Sequence, residues 1–161
     1  MIREVTVHVP DERLTEFYTR FGDFMSGNIS DRTADAANVM HEIGKAPAWV
    51  NEPGAKELAA KFWHDVTDPG RDLLRVLISG AEVQPARVFA PTELVTATNA
   101  KSTQSIAGIF GGVGQVISSA ELPTYEYAPG KRWHFVWDWD PKKRLYSMNP
   151  EMAALLRSVG A

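Results

Sequence analysis

The apolar positions change period along the chain, and each period predicts an element. Val5, Val7 and Val9 alternate with Thr6 and His8, the two-residue period of a half-buried strand, and Pro10 ends it. Behind Asp11 and Glu12, whose charge suits the first turn of a helix, Leu14, Phe17, Tyr18, Phe21, Phe24 and Met25 recur at helical spacing. Residues 26–54 carry scattered Gly, Asn, Asp and Pro, with one helical stretch over Ala34–Ile43 and an anchor at Trp49, and read as a connecting region.

From residue 55 the helical period dominates. Leu58, Ala59, Phe62, Trp63 and Val66 share one face. Asp68-Pro69 reads as the N-cap and first turn of a helix that buries Leu73, Leu74, Leu77 and Ile78 and ends at Gly80. Ala86–Phe89 is short and extended, Pro91 opens a helix over 92–98, and Asn99 ends it. A third helix from Ser102 carries Ile106, Ile109, Phe110, Val113, Val116 and Ile117 on one stripe. Its glycines 108, 111, 112 and 114 each cost up to ~1 kcal/mol in a helix interior, which predicts a break near Gly111. The period then returns to two. Trp133, Phe135, Trp137 and Trp139 alternate with Arg132, His134, Val136 and Asp138, and with Arg144–Met148 across the turn they predict one β-hairpin. Asn149-Pro150-Glu151 caps a last helix with Met152, Leu155, Leu156 and Val159 on one side.

Three helices, a short strand between the first two and a hairpin after the third follow the order of a winged helix-turn-helix, here from Asp68 to Val159. The expected fold class is α+β: an N-terminal strand and amphipathic helix with their connecting region over 1–54, followed by a winged-helix-like domain over 55–161. The aromatic strand, its turn and the run Leu145-Tyr146-Ser147-Met148-Asn149-Pro150-Glu151-Met152-Ala153-Ala154-Leu155-Leu156 resemble small actinobacterial and actinophage proteins of unknown function. In those proteins an N-terminal strand and helix precede a winged-helix-like domain ending in a Tyr-x-Met-x-Pro-Glu pattern. The resemblance implies a fold and no activity. A glycine-rich third helix is unusual for a recognition helix.

Composition narrows the classes without changing this picture. The 161 residues suit one domain, or a small domain with an N-terminal extension, and 44% hydrophobic with 23% charged residues is ordinary for a globular protein. No segment approaches the ~18 unbroken apolar residues of a membrane span. The start, Met-Ile-Arg-Glu-Val-Thr-Val, puts a charged pair where a secretory signal needs an apolar core. With zero cysteines, disulfides and thiolate metal sites are excluded, so a cytoplasmic protein is expected and the Asn28-Ile29-Ser30 sequon reads as chance. The net charge is −3, with 7 basic against 11 acidic residues over 1–66 and 10 against 9 over 67–161. The second half is therefore the better match to an anionic partner.

Catalytic signatures are missing. His8, His41, His64 and His134 lie on four different elements. His41-Glu42 begins like a zinc-protease motif, but position 45 is Lys45 where a second histidine is needed. Gly108–Gly114 lacks the Gly-Lys-Ser/Thr ending of a phosphate loop and sits inside a helical stripe, which reads as close packing or a kink. No serine stands in Gly-x-Ser-x-Gly or Ser-x-x-Lys. Asp138 and Asp140 share a strand face and read as solubilising acids. The aromatic run either stacks bases or packs against helices, and packing is the ordinary arrangement. No enzyme activity, cofactor or metal is expected.

Two polar, basic groups remain. Lys101-Ser102-Thr103-Gln104 opens the third helix, whose first residues meet base edges in this fold class, and Lys101 suits a phosphate. Lys142, Lys143 and Arg144 occupy the wing tip, with Lys131 and Arg132 ahead of the aromatic strand. The competing interpretation is that Ser102-Thr103 is only an N-cap and the lysine-rich turn only a solvated loop. The expected function is a small winged-helix protein that binds duplex DNA or regulates. The alternative is a protein-interaction module, such as a phage or host factor-binding adaptor, using the same scaffold. The face formed by Leu14, Phe17, Tyr18, Phe21 and Phe24 is expected to meet a protein partner or a second copy.

Overall fold

A computed structural model describes residues 40–42 and 44–161. The expected strand over Val5–Val9 and the helix bearing Leu14, Phe17, Tyr18, Phe21 and Phe24 lie outside the described residues. Met40–Ala161 forms one compact unit of mixed helix and strand, with five α-helices and two small antiparallel sheets among the described residues. None of the described helices is long and apolar enough to cross a membrane.

The unit opens with a 3-10 helix, Ala48–Asn51, that buries Trp49 and Val50. Residues 40–42 are not helical, so the helix expected over 34–43 does not reach them. His41 instead donates its backbone N–H to Glu126 O at 2.7 Å. Helix α1, Ala55–Asp65, buries Ala55, Ala59, Phe62 and Trp63, one face at i, i+4, i+7 and i+8. Helix α2, Asp68–Ala81, buries Leu73, Leu74, Leu77 and Ile78 completely. Its N-cap is Thr67 rather than Asp68. Asp68 is already helical, where its charge suits the first turn and its Oδ1 meets Arg71. Near the other end a Cβ on Gly80 would sit 2.3 Å from Phe89 Cε2, so only glycine lets the following segment lie this close.

Helix α3, Pro91–Thr98, starts on Pro91 with Glu93 Oε2 accepting from Ala90 N at 2.7 Å, and ends at left-handed Asn99. Helix α4, Thr103–Ser119, is unbroken and buries Ile106, Phe110, Val113 and Ile117. The break expected at Gly111 is absent. Four glycines cost up to ~4 kcal/mol together, whereas burying four large apolar side chains contributes about 1.5–3 kcal/mol each. Burial wins. Helix α5, Pro150–Ser158, is capped by Asn149 Oδ1, which accepts from Glu151 N at 2.8 Å, and it packs on α1 and α2.

The largest departure lies between α4 and α5. One hairpin is expected there and two are found. Strand β1, Tyr125–Ala128, pairs with β2, Lys131–Trp133, around Pro129-Gly130, and β3, Asp138–Asp140, pairs with β4, Leu145–Ser147. The alternating aromatic run is not one strand. Phe135 adopts φ +52° and His134 Nδ1 accepts from Val136 N at 3.0 Å, which turns the backbone out of the ladder. As a result His134, Phe135, Val136 and Trp137 are all buried, where a regular strand would bury alternate residues. Phe89 lies along β4, exchanging two 2.8 Å backbone hydrogen bonds with Tyr146.

Candidate functional site

The basic candidates fall on three separate elements. At the start of α4, Lys101 and Gln104 are exposed, and Ser102 and Thr103 are half-buried. Ser102 Oγ accepts from Ser105 N at 3.2 Å, so its hydroxyl acts as the N-cap. Thr103 Oγ1 donates to Gln104 Oε1 at 3.4 Å, leaving the Gln104 amide outward. Between β3 and β4, Asp140 Oδ1 accepts from Lys142 N at 2.9 Å and Lys143 N at 3.1 Å. These bonds hold its carboxyl below the usual range, Lys143 N foremost, and shape a turn on which Lys142, Lys143 and Arg144 are exposed. Lys131 and Arg132 lie within β2, on the other hairpin. Arg132 is turned back, its Nε donating to Thr124 Oγ1 at 3.1 Å and its Nη2 to Thr124 O.

Charge pairing separates these cations from most others. Lys45, Arg71, Arg75, Arg87 and Arg157 each meet a carboxylate within 2.6–3.4 Å. Among the described residues Lys101, Lys131, Arg132, Lys142, Lys143 and Arg144 have no such partner. Exposed pairs contribute little to stability, so the contrast bears on where an incoming anion finds uncompensated charge.

The outward face of α4 is small and neutral. Ala107, Gly108, Gly111 and Gly112 are exposed, and a Cβ added at any of the four glycines would meet nothing within 4 Å. Close packing does not account for these glycines among the described residues, and the helix runs through them without interruption. A groove of about 440 Å³ runs beside this face, lined by Gly111, Gly114 and Ser118 on one side and Trp133, Trp137, Trp139 and Tyr146 on the other.

The aromatic run divides between core and surface. Phe135 and Trp137 are buried, in line with the packing interpretation, while Trp133 and Trp139 are half-buried and line cavities. His134 sits between Trp133 and Trp137, with ring centroids 4.1 and 4.2 Å away. Burial lowers its pKa to about 3, so it is neutral at pH 7. Its Nε2 has no partner among the described residues. The two acids of β3 diverge: Asp140 is held low by the turn, while burial raises Asp138 to about 6. Treating both as solubilising acids misses this, because the β-period gives a shared face but not its surroundings.

His41 Nε2 contacts Lys45 O at 3.0 Å and its ring packs on Phe135 at 3.9 Å, while His64 lies in the last turn of α1. No three His, Asp or Glu side chains come together to hold a metal among the described residues. No family model, curated protein or solved structure matches the chain.

Proposed function

We propose that residues 68–159 form a winged helix, that the chain belongs with the small actinobacterial and actinophage proteins it resembles, and that it is a cytoplasmic, non-enzymatic DNA-binding or regulatory protein. Two features support the fold. The order α2, Phe89, α3, α4, β3, β4 is that of the motif, and Phe89 beside Tyr146 makes β4 the middle of a three-stranded arrangement. The extra hairpin β1–β2 is then an insertion ahead of the wing.

The observation that carries the function is the set of cations at the start of α4 and on the hairpins that have no carboxylate partner among the described residues. Because α4 itself carries no charged residue, phosphate contacts fall to the cations outside it, with Gln104 as the side chain of α4 suited to a base edge. The test is fluorescence anisotropy of the full chain on a labelled random duplex pool. Binding is expected at low salt and should weaken as salt rises. No binding at low salt would remove the DNA hypothesis.

A protein-interaction module, such as a phage or host factor-binding adaptor, is the second reading. It is favoured by the neutral glycine face of α4, which lets another backbone approach closely. A duplex-negative protein that captures a discrete partner in a pull-down would support it.

A further inference from the structure

The two hairpins enclose a second cavity, of about 210 Å³, lined by Tyr127, Trp133, Phe135, Asp138, Trp139 and Pro141. Two departures from regular backbone build it. The register of β1 on β2 shifts between Glu126 and Ala128, which leaves Tyr127 as the extra residue of a bulge. Phe135 takes its left-handed conformation a few residues on, and the two rings meet edge to face with centroids 6.0 Å apart. An aromatic residue at φ +52° costs about 1–2 kcal/mol, so the surrounding contacts must hold it there, including the His41 ring against it.

The described residues around it are four aromatics, Pro141 and one acid, Asp138, with its carboxylate, and no lysine or arginine is among them. Among the described residues no hydrogen bond or ion pair reaches that carboxylate, and burial is the only influence on its titration. We propose that this cavity binds a methylated ammonium group, held by the aromatic rings and paired with Asp138.

The ligand class follows from what the walls offer. A neutral guest would leave Asp138 unpaired, and an anion would be repelled by it. A primary ammonium or a guanidinium brings several N–H donors, for which the lining supplies little beyond one carboxylate and one hydroxyl. A quaternary ammonium has no N–H to satisfy, is attracted to aromatic faces, and gains from a carboxylate in a region of reduced dielectric. The volume lies below the ~300–1,000 Å³ of pockets that enclose drug-sized ligands, which suits a headgroup rather than a larger molecule. A free solute such as choline and the side chain of trimethylated lysine both present this group.

The experiment is a calorimetric titration of the full chain with tetramethylammonium, choline, a trimethyl-lysine peptide and 3,3-dimethylbutanol, the uncharged isostere of choline. Saturable binding of at least one cation is expected, with the isostere about tenfold weaker or worse. Asp138→Asn should weaken cation binding about tenfold, and Trp139→Ala more than Trp139→Phe, with circular dichroism checking that each variant is folded. Tighter binding of the peptide than of choline would assign the group to a protein side chain, and the reverse order to a small solute. Failure of all three cations to bind, or equal binding of the isostere, overturns the proposal. Neither result depends on whether the protein binds DNA.

Discussion

In α2, Leu73, Leu74, Leu77 and Ile78 are fully buried, and Arg71 and Arg75 each meet an aspartate three residues earlier. Across 125–147 the same kinds of residue are used differently. Trp133 and Trp139 stay half-exposed, Lys142, Lys143 and Arg144 are unpaired among the described residues, Asp138 is buried enough to titrate near 6, and the backbone leaves the ladder at Phe135. Helix α2 buries its apolar stripe and pairs both arginines with its own aspartates, which is the pattern of a scaffold. The hairpins leave several demands open, which is where a ligand has something to contribute.

The largest expected effect breaks the scaffold. Leu77→Ala should cost about 2–5 kcal/mol of unfolding free energy in urea, because the side chain is wholly enclosed. Trp139→Ala should cost clearly less, since Trp139 is only half-buried. Equal losses would erase the contrast between the two regions.

The next effect is a pH dependence. Burial raises Asp138 from 3.8 to about 6, so the folded state holds its proton more tightly than the unfolded chain does. Its contribution to stability is present below about pH 4 and is lost as pH rises through 6. His134 has the opposite sign: its pKa falls from 6.5 to about 3, so protonation opposes folding as pH drops below 6.5. Tyr127 shares the cavity with Asp138, and His41 packs on Phe135 in its wall. Relative to the parent, Asp138→Asn should gain on the order of 1–3 kcal/mol at pH 7 and nothing at pH 4. A gain independent of pH would show that Asp138 is not desolvated.

Two glycine substitutions give effects of opposite sign. Gly80→Ala should destabilise by about 1–3 kcal/mol, because Phe89 occupies the space a methyl group needs. Gly111→Ala meets nothing within 4 Å and should stabilise by about 0.5–1 kcal/mol through helix propensity. Destabilisation by Gly111→Ala would mean that the glycine face of α4 is covered in the free protein.

Much of the scaffold is legible in the sequence, since a 3.6-residue stripe both predicts a helix and names its buried face. Leu73, Leu74, Leu77 and Ile78, the stripe of α4 and the Asn149 cap are of this kind. The hairpins are not, for two reasons. Trp133–Trp139 satisfies strand alternation equally well whether or not the backbone leaves the ladder, and what decides is the hydrogen bond from Val136 N to His134 together with the burial of His134, Phe135, Val136 and Trp137 in succession. The pairing of Tyr125–Ala128 with Lys131–Trp133 has one local signal, Pro129-Gly130, at which Gly130 takes φ +69°. The basic residues of the candidate site could be read individually, but which hairpin carries Lys131 and Arg132 could not. The aromatic cavity was illegible because Tyr127 reaches it only through a bulge.

The salt dependence of duplex affinity tests most directly whether the hairpin cations that lack a carboxylate partner among the described residues mark a phosphate-binding surface. The triple variant Lys142→Ala, Lys143→Ala, Arg144→Ala is compared with the parent, and with Lys56→Ala, Lys61→Ala as a control on two exposed lysines of α1. Each lost phosphate contact lowers the slope of log affinity against log salt by about 0.9 unit, so the triple variant should flatten it by roughly 2 to 3 units and the α1 control should leave it unchanged. A triple variant whose slope equals the parent's, or a control that flattens it as much, would contradict the account.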